Sequence, residues 1–350
     1  MQKTIKLMTL PFLLLAAGCG GSSSGGVAGT TASQGGGSSP SVLVGAGSTL
    51  VAPLVSQWQG PYSKAHDVTI TYGAIGSGGG IEQISARTVD FGASDAPLTS
   101  DQKAGCSGCV MIPWALAATT VSYNVAGASK PLHLTGEVIA DMYLGTIKTW
   151  NDPKIAHLNP GVSLPSTAVH PVYRSDASGD TFAFTDYLSR VSPAWKSKIG
   201  GASTSVAWPT GIGGKGNAGV AAAITSTPGA IGYVAIGQAV GSHLHFANVQ
   251  NKAGAFVKPS TSAIAAAAKT AKFRSDNSVS IVNPPASAKT AYPISTFTYA
   301  IVSKTSPKLA TLKMFLSYAV TSGQQFATQF QFAPLPPNVV AKDKAVINGL

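Results

Sequence analysis

Val68-Thr-Ile-Thr-Tyr-Gly-Ala-Ile-Gly-Ser-Gly-Gly-Gly80 is the stretch that decides the fold. Val68, Ile70 and Tyr72 alternate with Thr69 and Thr71, the period of a strand with one buried face. Gly76–Gly80 breaks that alternation, and Ile81, Ile84 and Ser85 follow at helical spacing. The same strand, Gly/Ser loop and helix occur upstream. Val42-Leu-Val44 predicts a strand, Gly45-Ala-Gly-Ser-Thr-Leu50 a turn, and Pro53 suits a first helical turn. Leu54, Trp58, Tyr62 and Ala65 then share one helix face, and Gly60-Pro61 predicts that this helix kinks or ends there. A third copy runs from a strand at Val169–Tyr173 through Arg174-Ser-Asp-Ala-Ser-Gly179 into a helix over 180–190. Its packing residues are Phe182, Phe184, Tyr187 and Leu188, and Ser178 is a natural N-cap. This alternation predicts an α/β fold with mostly parallel strands and a ligand site beyond their carboxyl ends. Later segments add a glycine-rich loop over 209–219, a strand at Ile231–Val234 and a helix over Ser262–Ala271. A strand at Phe297–Val302 and an amphipathic helix at Leu309–Thr321 complete the pattern.

Lys3 and Lys6 form a short basic segment ahead of an apolar core, Leu7–Ala17, too short to span a bilayer permanently. The core ends Leu15-Ala-Ala-Gly-Cys19, which resembles a bacterial lipoprotein processing site. Residues 1–19 then read as a signal peptide, with Cys19 lipidated as the mature N-terminus. Ala16 stands where leucine is usual, and an ordinary secretory signal with a chance cysteine is the alternative. Residues 20–41 are nearly all Gly, Ser, Ala and Thr, the composition of a flexible tether. The expected location is extracytoplasmic, in a periplasm or at a cell surface, with a lipid anchor in the membrane.

The roughly 310 residues that remain suit two domains of ordinary size. A hydrophobic content of 44% with 11% charged residues predicts well-filled cores. The net charge of +11 is spread without basic runs or interleaved aromatics, so nucleic-acid binding is not supported. A diffuse positive field that speeds capture of small anions fits better, beside the plainer reading of a solvated basic surface. With Cys19 assigned to lipid, Cys106-Ser-Gly-Cys109 reads as a short structural disulfide. A redox pair is the alternative, and no surrounding pattern supports it.

Catalytic motifs are largely missing. Gly211-Ile-Gly-Gly-Lys-Gly216 has glycine where a nucleotide loop needs a hydroxyl, and its spacing fails. Gly92-Ala-Ser-Asp-Ala96 almost copies a nucleophile elbow, but Ala96 replaces the second glycine. His243-Leu-His245 would share one face of a strand, yet lacks nearby carboxylates, and the acidic residues form no cluster for metals.

An anion site remains. Three helix N-termini offer backbone N–H groups, each with a hydroxyl from Thr49, Ser77 or Ser178. Alone, each glycine loop reads as a tight turn. The chain holds only four arginines, so Arg174 beside the third loop stands out, with a fork able to bond two oxygens of an oxyanion. Asp176 is placed to pair with it. In Asp90-Phe-Gly-Ala-Ser-Asp-Ala-Pro97, Asp95 repels an anion unless that anion carries a proton to share. The combination suggests a protonated oxyanion such as phosphate.

These stretches together resemble the PstS family of phosphate-binding proteins, the substrate-binding components of phosphate ABC transporters, over essentially the whole mature chain. The matching signatures are Gly45-Ala-Gly-Ser-Thr49, Ile75-Gly-Ser77, Val89–Leu98, Tyr143-Leu-Gly-Thr-Ile-Lys-Thr-Trp-Asn151 and Arg174–Gly179. Gly213-Gly-Lys-Gly-Asn217, Pro228-Gly-Ala-Ile-Gly-Tyr233 and Phe332-Ala-Pro-Leu-Pro336 match as well. Ser178-Gly-Asp-Thr181 and the processing site look like the lipoprotein branch known from mycobacteria.

The resemblance implies a type II periplasmic-binding-protein fold, with one α/β lobe from 42–120 plus 290–350, the other from 121–289, and a cleft between. Phosphate would be held by Thr49, the Leu50 backbone, Ser77 and Asp95 from one side. Arg174, Ser178, the Gly179 backbone and Asp180 would come from the other, with Asp176 behind Arg174. Leu50 stands where phenylalanine is common, and Asp180 where many relatives carry threonine; whether Asp180 or Thr181 faces the ligand is open at this level. Also implied are a monomer without cofactor, metal or catalytic residue, arsenate as a mimic, and delivery to a membrane permease. An extracellular phosphatase, or a phosphate-sensing surface receptor or adhesin using the same site, are the alternatives from other classes.

Overall fold

The computed structural model describes residues 41–350. The segments expected as signal peptide and tether, with Cys19, lie outside the described residues, except for Ser41, which opens the first strand. Among the described residues no helix is long and apolar enough to cross a membrane.

Eight strands form the main path of one sheet: β1 (Ser41–Gly47), β2 (Val68–Ala74), β3 (Phe91–Ser94), β4 (Cys109–Asn124), β5 (His170–Arg174), β6 (Ile212–Gly214), β7 (Ala230–Ala235) and β8 (Ser295–Ser303). Their order across the sheet is β2-β1-β3-β8-β4-β7-β5-β6. At one end β1 pairs in parallel with β2 and β3; at the other β5 pairs in parallel with β6 and β7. In the middle, β8 is antiparallel to β3 and β4, and β4 is antiparallel to β7. The expected mostly parallel sheet is thus two parallel halves joined by antiparallel strands. The first stretch of β4, Cys109–Ala118, pairs with β8, and the second, Thr119–Asn124, pairs with β7, so this one strand serves both halves.

Burial explains why β4 has no readable alternation. Every residue from Met111 to Tyr123 is buried, as is every residue of β8. A strand covered on both faces loses the period-2 pattern and becomes a continuous apolar run.

Each half carries helices after its parallel strands: α1 (Ala52–His66) and α2 (Ser77–Ser85) in the first, α3 (Gly179–Val191) and α4 (Gly216–Ser226) in the second. The helix expected from Ser262 is α5 (Thr261–Ala268), and the chain ends in α6 (Leu309–Val320) and α7 (Pro337–Asn348). Pro61 does not end α1, which continues to His66. Burial of Leu54, Val55, Trp58 and Tyr62 holds the helix through the hydrogen bond that proline cannot make. Val55 takes the place expected of Ala65, which is exposed.

Trp58 and Trp114 meet edge to face at 5.3 Å between centroids, with Phe91 and Phe315 completing a cluster under the first half. Tyr143, Phe184, Trp208 and Tyr233 form its counterpart under the second. Cys106 and Cys109 are joined by a disulfide, whose loop is held by Arg87 donating to the Ser107 carbonyl at 2.7 Å. His243 sits in a left-handed turn (φ 53°) while His245 opens a two-residue strand, so the two do not share a strand face.

Candidate anion-binding site

The loops β1–α1, β2–α2, β5–α3 and β6–α4 all leave the carboxyl ends of their strands, and they meet where the two halves of the sheet face each other. Two glycines permit that approach. A Cβ on Gly179 would lie 2.4 Å from the Asp95 Cβ, and one on Gly76 (φ 92°) would lie 2.4 Å from Asp176 Oδ2.

Asp95 follows β3 and is about 1% exposed. Ser48 Oγ reaches both its oxygens, at 2.6 and 2.7 Å, and Ser77 Oγ donates to Oδ2 at 3.3 Å. Ser77 in turn accepts from Asp95 N at 3.2 Å and from Gly179 N at 3.1 Å, which ties the start of α3 to the first half. Leu50 N, the expected ligand donor, bonds Ser48 Oγ at 3.1 Å. Gly78 N donates to the Ala177 carbonyl at 3.0 Å.

Arg174 closes the other side. Its Nε and Nη2 make parallel bonds to Asp176 at 2.8 and 2.5 Å, so the edge expected to grip an oxyanion faces this carboxylate. Asp176 also accepts from Gly216 N at 2.9 Å, capping α4. Nη1 of Arg174 reaches Asp180 Oδ2 at 3.2 Å. Asp180 receives two further donors, Thr119 Oγ1 at 2.7 Å and Asn217 Nδ2 at 2.8 Å. Asp180, not Thr181, therefore points into the centre; the Thr181 hydroxyl bonds Tyr233 at 2.7 Å. Ser178 acts as the expected N-cap, accepting from Asp180 N and Thr181 N. Thr49 Oγ1 accepts from Asn217 Nδ2 at 2.9 Å.

Burial pushes the Asp95 carboxyl up to about 7; the nearby Asp180 charge adds to this, while Ser48, Arg174 and Ser77 oppose it. Burial also raises Asp180, against the pull of Arg174, Thr119 and Asn217. For Asp176 burial acts upward, but the bond and charge of Arg174 outweigh it and hold the carboxyl below its ordinary value. Burial opposes the Arg174 charge, and the two aspartates more than restore it. The site thus presents a fixed cation, helix N-termini and one carboxyl poised to exchange a proton near neutrality, the groups that match a protonated oxyanion. Cavities of about 540 Å³ beside Thr49 and Asn217 and about 190 Å³ beside Asp95 flank this buried network. Among the described residues no group of three or more His, Cys, Asp or Glu side chains is arranged to hold a metal.

A PBP superfamily domain matches residues 28–322. The phosphate-binding protein PstS of Xylella fastidiosa (strain 9a5c) is 40% identical over 305 residues, covering 86% of this chain and 83% of its own length. The chain belongs to the PstS family. Phosphate-binding protein PstS of Pasteurella multocida is 39% identical, covering 87% of this chain and 89% of its own. Among solved structures, a high-affinity periplasmic phosphate-binding protein (PfluDING) bound with phosphate superimposes with a TM-score of 0.71 at 19% identity, covering 87% and 93% of the two chains. That likeness establishes the fold, the type II periplasmic-binding-protein architecture expected from the signatures.

All eight residues expected at a PstS ligand site converge: Thr49, Leu50, Ser77 and Asp95 from the first half, and Arg174, Ser178, Gly179 and Asp180 from the second. Asp176 pairs with the Nε and Nη2 edge of Arg174. Three further residues, Ser48, Asn217 and Thr119, join the network. Ser48 lies beside Thr49 in the Gly45-Ala-Gly-Ser-Thr49 signature. Asn217 ends the signature Gly213-Gly-Lys-Gly-Asn217, which was the available signal. Thr119 lies in the featureless run of β4 and gave none.

Proposed function

We propose that this protein binds inorganic phosphate outside the cytoplasm and delivers it to the membrane permease of an ABC transporter. The observation that carries the proposal is Asp95, a buried carboxyl held by serine hydroxyls within reach of Arg174's field. Phosphate keeps a proton at neutral pH and gives it to such a group as a hydrogen bond. Sulfate has none, and would set a lone pair against it. Sites that leave a buried polar group unpaired discriminate by about 10⁴–10⁵. Arsenate, with the same protons, is expected to bind as a mimic.

In this reading the ligands are Thr49, the Leu50 backbone, Ser77, Asp95, Arg174, Ser178, the Gly179 backbone and Asp180, which exchange their mutual bonds for bonds to the anion. The halves act as two lobes, 42–120 plus 290–350 and 121–289, with the antiparallel central strands as the crossing segments. The protein acts as a monomer, as a binder without cofactor or turnover, tethered by a lipid on Cys19. The PstS names of its relatives support the ligand, and the shared fold supports capture between two lobes.

Calorimetry with phosphate and sulfate on the unmodified protein and on Asp95→Asn tests this. Phosphate is expected to bind the unmodified protein and sulfate not, with the preference collapsing in the variant. Equal affinity for both anions in the unmodified protein at about pH 8.5, where the Asp95 carboxyl is ionised, would sink the proton-acceptor role.

A further inference from the structure

We propose that Asn217 is the latch of this binding protein, its side-chain amide fastening one half of the sheet to the other over the bound anion. The inference rests on the phosphate-binding reading above.

Asn217 is about 2% exposed, and every hydrogen-bonding group of its amide is assigned. Oδ1 accepts from Ala235 N at 2.8 Å, and Nδ2 donates to Asp180 Oδ2 at 2.8 Å and to Thr49 Oγ1 at 2.9 Å. The first two bonds lie within the second half. They fix the amide plane without help from the first half, as does the Asp176 cap on Gly216 just before it. The third bond crosses the seam. Thr49 belongs to the loop after β1, which is held to β3 by Ser48 N donating to the Ala93 carbonyl at 2.9 Å. When the halves part, Asn217 gives up only its bonds to Thr49, the amide's and a longer one from its backbone N–H at 3.4 Å, and the amide stays aimed for the next closure.

The other bonds across the seam near the site are those of Gly78 N to the Ala177 carbonyl, of Gly179 N to Ser77, of Thr119 on the crossing strand to Asp180, and the longer one from the Asn217 backbone N–H to Thr49 Oγ1. Asn217 instead meets the seam through a side chain that need not touch the anion. Arg174, Asp180 and Asp95 are each no more than 4% exposed, so an anion among them leaves only if the seam opens. A bond that exists in the closed form alone then slows dissociation and leaves encounter with the open form unaffected. Asn217 also supplies one of the three donors on Asp180.

Phosphate binding to the purified protein is measured first, since its absence would remove the phosphate reading itself and not the latch. In Asn217→Ala, phosphate dissociation is expected to be about tenfold faster and association changed by less than about twofold, as for loss of one buried hydrogen bond. The ligand-free protein should melt at a lower temperature, because the bonds to Ala235 N and Asp180 are lost as well, so the latch is read from the two rates and from the double-mutant cycle. Asn217→Ser is measured as well, for the case where Asn217→Ala fails to fold, and Thr49→Val, which removes a ligand hydroxyl together with the latch acceptor, serves as the background for a double-mutant cycle. Placed on Thr49→Val, the Asn217→Ala change should add less than about twofold, because the bond is already gone. Unchanged dissociation in Asn217→Ala, or full additivity of the two changes, would overturn the proposal. So would a loss in affinity carried wholly by slower association.

Discussion

Asp95 and Asp343 are both carboxyls raised by burial, to about 7 and about 8, yet they face different surroundings. Asp343 lies on α7, fully buried, with Asn277 Nδ2 at 3.4 Å from one oxygen and no partner on the other. Both side chains hold their proton in the folded protein at pH values where the unfolded chain has released it. Their stabilisation is therefore complete below pH ~4 and is lost as the pH rises through 7 and 8. Asn at 343 keeps the shape and removes the titration, so Asp343→Asn should flatten the fall in melting temperature between about pH 5 and pH 8.5. At pH 8 it should gain roughly 5 kcal/mol, at about 1.4 kcal/mol per pKa unit. A pH slope identical to the unmodified protein's would mean that Asp343 does not titrate in this range. For Asp95 the consequence is a change of ligand preference. Once protonated it becomes a donor, so sulfate binding, absent at about pH 8.5, should emerge as pH falls below about 7. Calorimetry across that range reads the effect, and sulfate affinity independent of pH would contradict it. Asp95 and Arg174 were legible in the sequence because an acid among glycines and one of only four arginines are chemically out of place. Ser48 and Asn217 were not, since a serine or an amide acquires its meaning from a partner brought close only by the fold: Ser48 from Asp95, 47 positions away, and Asn217 from Thr49, 168 away.

At the level of elements, α3 shows how a helix start is tuned for closure as well as stability. Alanine is a better helix former than glycine by up to ~1 kcal/mol, so Gly179→Ala should leave the ligand-free melting temperature unchanged or raised. Its Cβ would nevertheless fall 2.4 Å from the Asp95 Cβ, inside the seam. Phosphate affinity should drop by roughly 100-fold or more, as for a steric block that keeps the halves apart. Affinity within threefold of the unmodified protein would show that the seam relaxes around a methyl group. The three strand–loop–helix units were readable because each carries its own punctuation: alternation, then glycine, then a helical period. The central strands β4 and β8 were not. Buried on both faces, β4 offers no period, and its antiparallel pairing with β8 joins positions 177–194 residues apart. Pro61 misled for a related reason, because the packing of Trp58 and Tyr62 outweighs a local breaker.

For the whole molecule, charge and burial separate the two rates of binding. Of the net charge of +11, Lys3 and Lys6 lie outside the described residues; among the described residues every Lys and Arg except Arg174 lies outside the buried set, whereas Asp95, Arg174, Ser178 and Asp180 are shielded from solvent. Surface charges attract an anion over distances comparable to the screening length, which shrinks from about 10 Å at 0.1 M to about 3 Å at 1 M salt. Groups inside the closed site feel little of that screening. Raising sodium chloride from about 0.05 to 0.5 M should therefore slow phosphate association several-fold while dissociation changes by less than about twofold. Stopped-flow measurement of both rates separates them, where an equilibrium affinity alone would report only their ratio. Dissociation accelerating as much as association slows would place the ion-sensitive step inside the site, and the buried network around Asp95 would then be open to solvent in the bound state.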